Sequence, residues 1–174
     1  VFGYFSAESL SNQLGIDNST LSHAWFVDNK TPEAQIERFD LTDKNLPFLH
    51  APETKPHYRL AGGKLNFVDS VSIVEGGGNA GLGYIYAQRR IDASDWFFRY
   101  HFHEDPVMPG SLGVEAIIEL LQIYALKNDL GAQFNDPRFI APLSKVVWQY
   151  RGQITPLNKQ MSLDVHITDI IRQS

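Results

Sequence analysis

The chain has 174 residues, of which 43% are hydrophobic and 12% aromatic, so it contains enough apolar material for a packed core in one domain. Its net charge of −5 argues against a nucleic-acid-binding protein, and the absence of cysteine excludes disulfides and thiolate metal sites. No apolar run approaches the roughly 18 residues of a transmembrane helix, and the first residues lack the pattern of a signal peptide. The sequence therefore predicts a soluble, cytoplasmic protein without nucleic-acid or membrane partners.

The first third of the chain shows little periodicity. Residues 1–15 predict the end of a strand followed by a short helix that Gly15 closes. Residues 16–63 are polar and irregular, with a short helical pattern at 33–38. We interpret 16–63 as a linker or covering arm, because so long a stretch without periodicity is unusual inside a compact domain. Its aromatic side chains are predicted to dock on another surface; they are Trp25, Phe26, Phe39 and Phe48.

A regular β pattern follows the arm. Residues 66–75 alternate as a strand, the glycines after them turn the chain, and residues 82–90 return as a second strand, which predicts a β-hairpin. A phosphate-binding loop is rejected, because no G-x-x-x-x-G-K-[ST] pattern and no helix follow these glycines. Further strands are predicted at 139–151 and 161–171. The last of these has an inward-facing set that consists of Met161, Leu163, Val165 and Ile167.

One long helix is predicted between the two pairs of strands, starting near Ser111. It is apolar nearly all round, which is typical of a buried helix. Its polar residues Glu115, Glu119 and Gln122 have the spacing i, i+4, i+7 and therefore share one side. Burying Glu115 without a use would cost on the order of several kcal/mol, which makes it a functional candidate. Gly131 is predicted to cap the C-terminal end.

A second functional candidate, His101, lies fourteen positions before Glu115. Histidine can act as a base near neutral pH. The Pro109-Gly110 turn feeds the helix N-terminus, where the free backbone N–H groups of Gly110 and Ser111 can bind an oxygen that gains negative charge. These groups together suit general acid–base chemistry at a carbonyl compound.

Other interpretations of this segment are less well supported. A single histidine in an aromatic segment, taken alone, is more often structural. His103 would point to the opposite side of an extended strand and is predicted to be exposed. The H-x-H pair could suggest zinc, but no third ligand has the characteristic spacing. Ser111 does not lie in a G-x-S-x-G elbow, which argues against a serine hydrolase.

The segment HFHEDPVMPGSLGVEA resembles the active-site segment of the β-hydroxyacyl-[acyl-carrier-protein] dehydratases, the hot-dog enzymes of fatty-acid synthesis. The resemblance implies an α+β hot-dog fold, in which an antiparallel sheet wraps round a long central helix. It implies that His101 is the catalytic histidine, that Glu115 is the catalytic acid, and that the carbonyl of Val107 orients the histidine. Gly110 and Ser111 would bind the thioester carbonyl, and no metal or organic cofactor would be needed.

The resemblance also bears on double-bond isomerisation. The D-P-V-M-P-G loop resembles the branch of the family that also isomerises the double bond. The Glu at the acid position instead resembles the branch that only dehydrates. Because the chain combines the two, isomerisation stays open.

The resemblance covers about residues 64–171 and sets the expected domain organisation. The family would supply roughly two more strands, so we expect a hot-dog domain at 64–174 that is incomplete at its C-terminus. Residues 1–15 resemble the tail of a preceding hot-dog unit. The whole pattern resembles the tandem dehydratase region of bacterial polyunsaturated-fatty-acid synthases. In this family the histidine and the acid of one site come from two hot-dog units, so the implied partner is a second copy or a tandem neighbour.

The implied function is dehydration of a 3-hydroxyacyl chain on acyl-carrier protein to the trans-2-enoyl form, in fatty-acid or polyunsaturated-fatty-acid synthesis. Two alternatives stay open: a non-catalytic hot-dog that completes a neighbouring dehydratase, and a hot-dog acyl thioesterase. Cations that could contact an acidic carrier protein, each also readable as an ordinary surface charge, are Arg89, Arg90, Arg99 and Lys145.

Overall fold

The computed structural model describes residues 23–50, 54–141, 147 and 152–171. The strand and helix predicted at 1–15 lie outside these residues, as does most of the strand predicted at 139–151. Within the described part, no helix is long and apolar enough to cross a membrane.

The described residues form one antiparallel sheet with the strand order β1-β2-β3-β4. The strands are β1 Glu37–Asp40, β2 Ser70–Val74, β3 Tyr84–Arg90 and β4 Gln160–His166. The predicted hairpin is confirmed, with Ile73 of β2 opposite Ile85 of β3. On its other side β3 pairs with β4, whose Val165 lies opposite Ile85. The predicted alternation of β4 is also confirmed, although the strand ends at His166 instead of residue 171.

The prediction of a helical segment at 33–38 is wrong. A single 3-10 turn at Glu33–Gln35 leads directly into β1, which pairs with the outer side of β2 and places Phe39 opposite Val71. Three of the four residues of β1 are charged, as is common for a strand at the edge of a sheet. The arm therefore contributes a strand to the sheet, while the domain boundary at residue 64 stays a prediction.

The three described helices are α1 Trp25–Asp28, α2 Trp96–Tyr100 and α3 Gly110–Lys127. α3 is the predicted long helix, and it packs on the face of the sheet that carries Ile73 and Ile85. Burial nearly all round was predicted for α3, and this is wrong. Ile117 and Leu121 are 41% and 43% exposed, because the described part of the sheet covers only one side of the helix.

The opposite face of the sheet is covered by α1. The Trp25 N–H donates to the Tyr84 hydroxyl at 2.8 Å, and the two rings lie 5.3 Å apart. Burial and then the nearby Asp164 carboxylate raise the pKa of Tyr84, which therefore stays neutral. The predicted docking of the aromatic residues of the arm is confirmed, because Phe26 also contacts Tyr84, and Phe39 and Phe48 pack against the core.

The C-terminal end of α3 is built differently from the prediction. Asn128 caps the helix, and Asp129, not Gly131, adopts the left-handed conformation, with φ at 43°. Gly131 instead lets the backbone lie close to the Tyr58 ring. Its N–H donates to the Tyr58 hydroxyl at 3.1 Å, and a Cβ at this position would lie 2.8 Å from the Tyr58 ring.

We expect Gly131→Ala to lower the free energy of unfolding by about 1–3 kcal/mol, because the added methyl overlaps the Tyr58 ring. The matched change is Gly113→Ala within α3, where a Cβ meets no described atom within 4 Å. That change should stabilise the helix by up to about 1 kcal/mol. Hydrogen exchange of α3 peptides in the full-length protein measures both effects. Equal protection in the two variants would contradict the close approach at Gly131.

Candidate active site

His101 lies directly after α2, where the sequence suggested an extended strand. Phe97 and Phe98 are both buried, with their rings 4.7 Å apart. A strand points consecutive side chains to opposite faces, so a strand with one solvated face would not bury both rings in one core. The helical turn does, and it delivers His101 to the surface of the core as the C-cap residue.

The His101 ring is oriented by the loop that follows it. Its Nδ1 lies 3.1 Å from the carbonyl oxygen of Val107, the contact that the family resemblance implies. Because a carbonyl only accepts hydrogen bonds, Nδ1 carries the proton and Nε2 keeps its lone pair. Nε2 has no hydrogen-bond partner among the described residues. His101 thus presents one nitrogen that can take up a proton.

The loop itself is anchored at Val107 and Met108. Both side chains are buried. The Val107 N–H donates to Asp105 O at 2.9 Å across Pro106, and the Met108 N–H donates to Ile154 O at 2.8 Å. The carbonyl that holds His101 is therefore fixed to the core and to a second chain segment, which limits the freedom of the imidazole.

A cavity of about 310 Å³ opens beside His101. It lies between the loop, the start of α3 and the segment before β4, and it is lined by His101, Phe102, Val107, Met108, Pro109, Gly110, Gly113, Gly152, Gln153 and Ile154. A somewhat larger cavity of about 360 Å³ lies near Tyr58 and Phe139, beyond the C-terminal end of α3. None of the predicted site residues lines that second cavity, so the chemistry points to the cavity at His101.

The start of α3 supplies hydrogen-bond donors to this cavity. The helix begins at Gly110, and the N-cap residue Pro109 offers no side-chain hydrogen bond. The first N–H groups of a helix have no partner within the helix, so those of Gly110 and Ser111 are available. Gly110 lines the cavity, whereas Ser111 is exposed and does not.

Glu115 does not lie where burial was predicted. It is partly exposed and does not line the His101 cavity. The buried carboxyl group belongs to Glu119, one helical turn further on, which is 6% exposed. The spacing of the polar stripe was right, but the sheet covers its Glu119 side. The structure therefore brings His101, Val107 and Gly110 together at one cavity and leaves Glu115 outside it.

Glu119 joins α3 to the chain just before β2. Its Oε2 accepts the N–H of Phe67 at 2.7 Å. The pKa of Glu119 is raised to about 7, and burial is the main cause. The Phe67 N–H and the Arg89 guanidinium oppose this shift, while Glu115 and Asp69 add to it. Sequence reasoning noted this residue only as part of the polar stripe, because the stripe does not reveal which of its members faces the core.

Arg89 points inward and is not a docking cation. Its guanidinium donates to Asp95 at 2.5 Å and to the carbonyl of Asn66 at 2.9 Å. Among the other proposed cations, Arg90 and Arg99 are exposed, and Lys145 lies outside the described residues.

The described residues contain no group of three or more His, Cys, Asp or Glu that could hold a metal ion. The predicted exposure of His103 is confirmed, since its side chain is 94% exposed. The reason differs from the one predicted, because His103 lies in a turn and not in a strand.

Comparisons with known proteins cover this whole region. The FabA-like domain family matches residues 60–174, which include every residue that lines the His101 cavity. The chain is also 36% identical, over 97% of its length, to one subunit of the polyunsaturated fatty acid synthase of Thraustochytrium sp.. It spans 12% of the length of that relative.

We expect Glu119→Gln to change how stability depends on pH. A pKa of about 7 in the fold, above the ordinary 4.5, means that folding disfavours the ionised form. The free energy of unfolding of the parent protein should therefore fall between about pH 4.5 and pH 7, by up to about 3 kcal/mol. Glutamine keeps an acceptor for the Phe67 N–H but does not titrate, so the variant should match the parent near pH 4 and exceed it at pH 8.

Hydrogen exchange around Phe67 at pH 4.5, 6 and 8 measures this difference. Glu115→Gln is the control, because it changes the other glutamate of the stripe and leaves Glu119 in place, so it should keep most of the parental dependence on pH. A parent and a Glu119→Gln variant with the same slope against pH would mean that folding does not raise the pKa of Glu119.

Proposed function

The chain belongs to the FabA-like domain family, and on that premise we propose that it dehydrates a 3-hydroxyacyl thioester carried on acyl-carrier protein. The product is the trans-2-enoyl thioester, and the setting is fatty-acid or polyunsaturated-fatty-acid synthesis. The observation that carries the proposal is the His101 imidazole, whose Nδ1 contacts Val107 O and whose Nε2 has no described partner, beside a cavity at the start of α3. The name of the relative, which is part of a polyunsaturated fatty acid synthase, supports the same setting.

His101 acts as the base in this proposal. Neutral Nε2 takes the proton from the carbon next to the thioester carbonyl, which leaves the electron pair to form the new double bond. The imidazole becomes positively charged, and the Val107 carbonyl stabilises that charge through the Nδ1–H group. The same hydrogen bond fixes the neutral tautomer before the transfer and keeps the ring in place after it.

The start of α3 stabilises the charge that develops on the substrate. As the proton leaves, the thioester oxygen gains negative charge. The N–H groups of Gly110 and Ser111 and the positive end of the helix dipole favour a negative oxygen at this position. These donors are part of the helix, so they need little reorganisation during the reaction.

Glu115 acts as the acid for the departing hydroxyl. It gives one proton as the C–O bond breaks, and water leaves. Because Glu115 does not line the His101 cavity of its own chain, it serves the histidine of a second hot-dog unit in this proposal. That unit is either another copy or a tandem neighbour. The remaining candidate contacts for the carrier protein are the exposed Arg90 and Arg99, together with Lys145, which lies outside the described residues.

We expect His101→Ala and Glu115→Gln each to lower turnover at this site by at least about 100-fold, because each removes one proton-transfer group. The assay follows 3-hydroxyacyl-acyl-carrier protein by mass spectrometry with the full-length protein. His103→Ala and Glu104→Gln are matched controls, since both side chains are largely exposed and neither lines the cavity. The same product analysis reports any shift of the double bond.

Two outcomes would contradict the proposal. Full activity in both variants would make the chain a structural partner of another site, and a free acid as product would indicate a thioesterase.

Mixing the two variant proteins tests whether two copies of the chain share the site. If two copies form it, equal amounts of His101→Ala and Glu115→Gln protein should regain about a quarter of parental activity, because half of the dimers hold one intact site. No recovery would point to a tandem neighbour as the partner.

A further inference from the structure

We infer that Phe102 is a positioning residue, which holds the imidazole plane of His101 so that Nε2 keeps one direction. The inference rests on the proposed role of His101 as a base. The two ring centroids lie 3.9 Å apart, and the planes are inclined by 35°. This is a direct face contact between neighbours in sequence, and nothing in the composition of the segment predicts it.

The backbone produces this contact. His101 has helical dihedral angles, with φ at −82° and ψ at −63°, as the cap of α2. Two residues after Phe102, Glu104 adopts the left-handed conformation, with φ at 58°. In an extended chain the side chains of residues 101 and 102 would point in opposite directions. The tight path from the helix into the turn brings them onto the same side instead.

The exposure of Phe102 separates it from the other aromatic residues of this segment. Phe97 and Phe98 are buried in the core, whereas Phe102 is 56% exposed and lines the His101 cavity. A single exposed phenylalanine is common on a protein surface. Phe102 differs from such residues because its ring both lines the His101 cavity and contacts the His101 imidazole.

The contact supplies a restraint that the Val107 hydrogen bond lacks. One hydrogen bond at Nδ1 fixes the distance to the carbonyl, but the ring can still tilt about that bond. A flat ring against one face of the imidazole blocks the tilt on that side. General-base efficiency depends on the direction of the lone pair, so this restraint bears on the chemical step more than on binding.

The test compares Phe102→Leu with Phe102→Tyr in the full-length protein. Leucine keeps apolar bulk but lacks a flat ring, so kcat should fall about tenfold while KM stays within about twofold. Tyrosine restores the ring and should bring kcat back to within about threefold of the parent. Tyr100→Leu is the control: Tyr100 is another exposed aromatic residue, at 72%, and does not line the cavity.

A second readout does not depend on turnover. Diethyl pyrocarbonate modifies unprotonated imidazole nitrogens, and peptide mass spectrometry gives the rates at His101 and at exposed His103 in the same sample. Phe102→Leu uncovers one face of the His101 ring, so the ratio of the two rates should rise severalfold, and Phe102→Tyr should return it to the parental value. Should Phe102→Leu fold poorly, Phe102→Met replaces it, because methionine also lacks a flat ring.

Several results would overturn the inference. One is an unchanged kcat in Phe102→Leu. Another is a rise in KM alone, which would indicate that Phe102 contacts the substrate. The third is a lower kcat with an unchanged ratio of modification rates. Failure of the proposed function looks different, because His101→Ala would then keep its activity. In that case the modification ratio still decides whether Phe102 orients the ring.

Discussion

The packing of the long helix α3 against one face of the sheet is the constraint on which the remaining structure depends. α3 contacts the sheet through fully buried side chains such as Leu120 and Ile123, opposite Ile73 and Ile85. Polar links then fix its position along the sheet. Glu119 accepts the Phe67 N–H beside the core, and Lys127 pairs with both Glu37 and Glu75 at the far end. A helix held at both places cannot slide, so its N-terminus keeps one position relative to the loop that carries His101.

That fixed N-terminus gives the site its geometry. The loop from His101 to Pro109 is bounded by two helices, α2 with its buried phenylalanines and α3 with its buried core side. Between them, Val107 and Met108 reach into the protein, and the intervening polar residues stay outside. The histidine and the helix N–H groups are therefore held by the same packing that stabilises the fold. The backbone carbonyl of Val107 is a suitable partner for the imidazole, because it carries no proton of its own and does not titrate.

Sequence reasoning succeeded where a signal was local. The hairpin, α3 and the alternation of β4 follow from periodicity over many residues. The contact between His101 and Val107 was implied by the family resemblance of one contiguous segment. The predictions failed where residues distant in sequence determine the local structure or the burial of a side chain. β1 is four residues long and mostly charged, so only its pairing with β2 makes it a strand. Likewise, Glu115 and Glu119 are equivalent on a helical wheel, and only the position of the sheet buries one of them.

The division between Glu119 and Glu115 also bears on how a shared site would work. A buried carboxyl group inside the unit, such as Glu119, has its pKa raised to about 7 and keeps its proton below that pH, which suits a structural link. On the proposed mechanism the catalytic acid must instead reach the substrate of another unit, so it has to lie near a surface, as the partly exposed Glu115 does. On the proposed mechanism, one unit alone holds only the base at the His101 cavity, and a second unit supplies the acid where the two units meet.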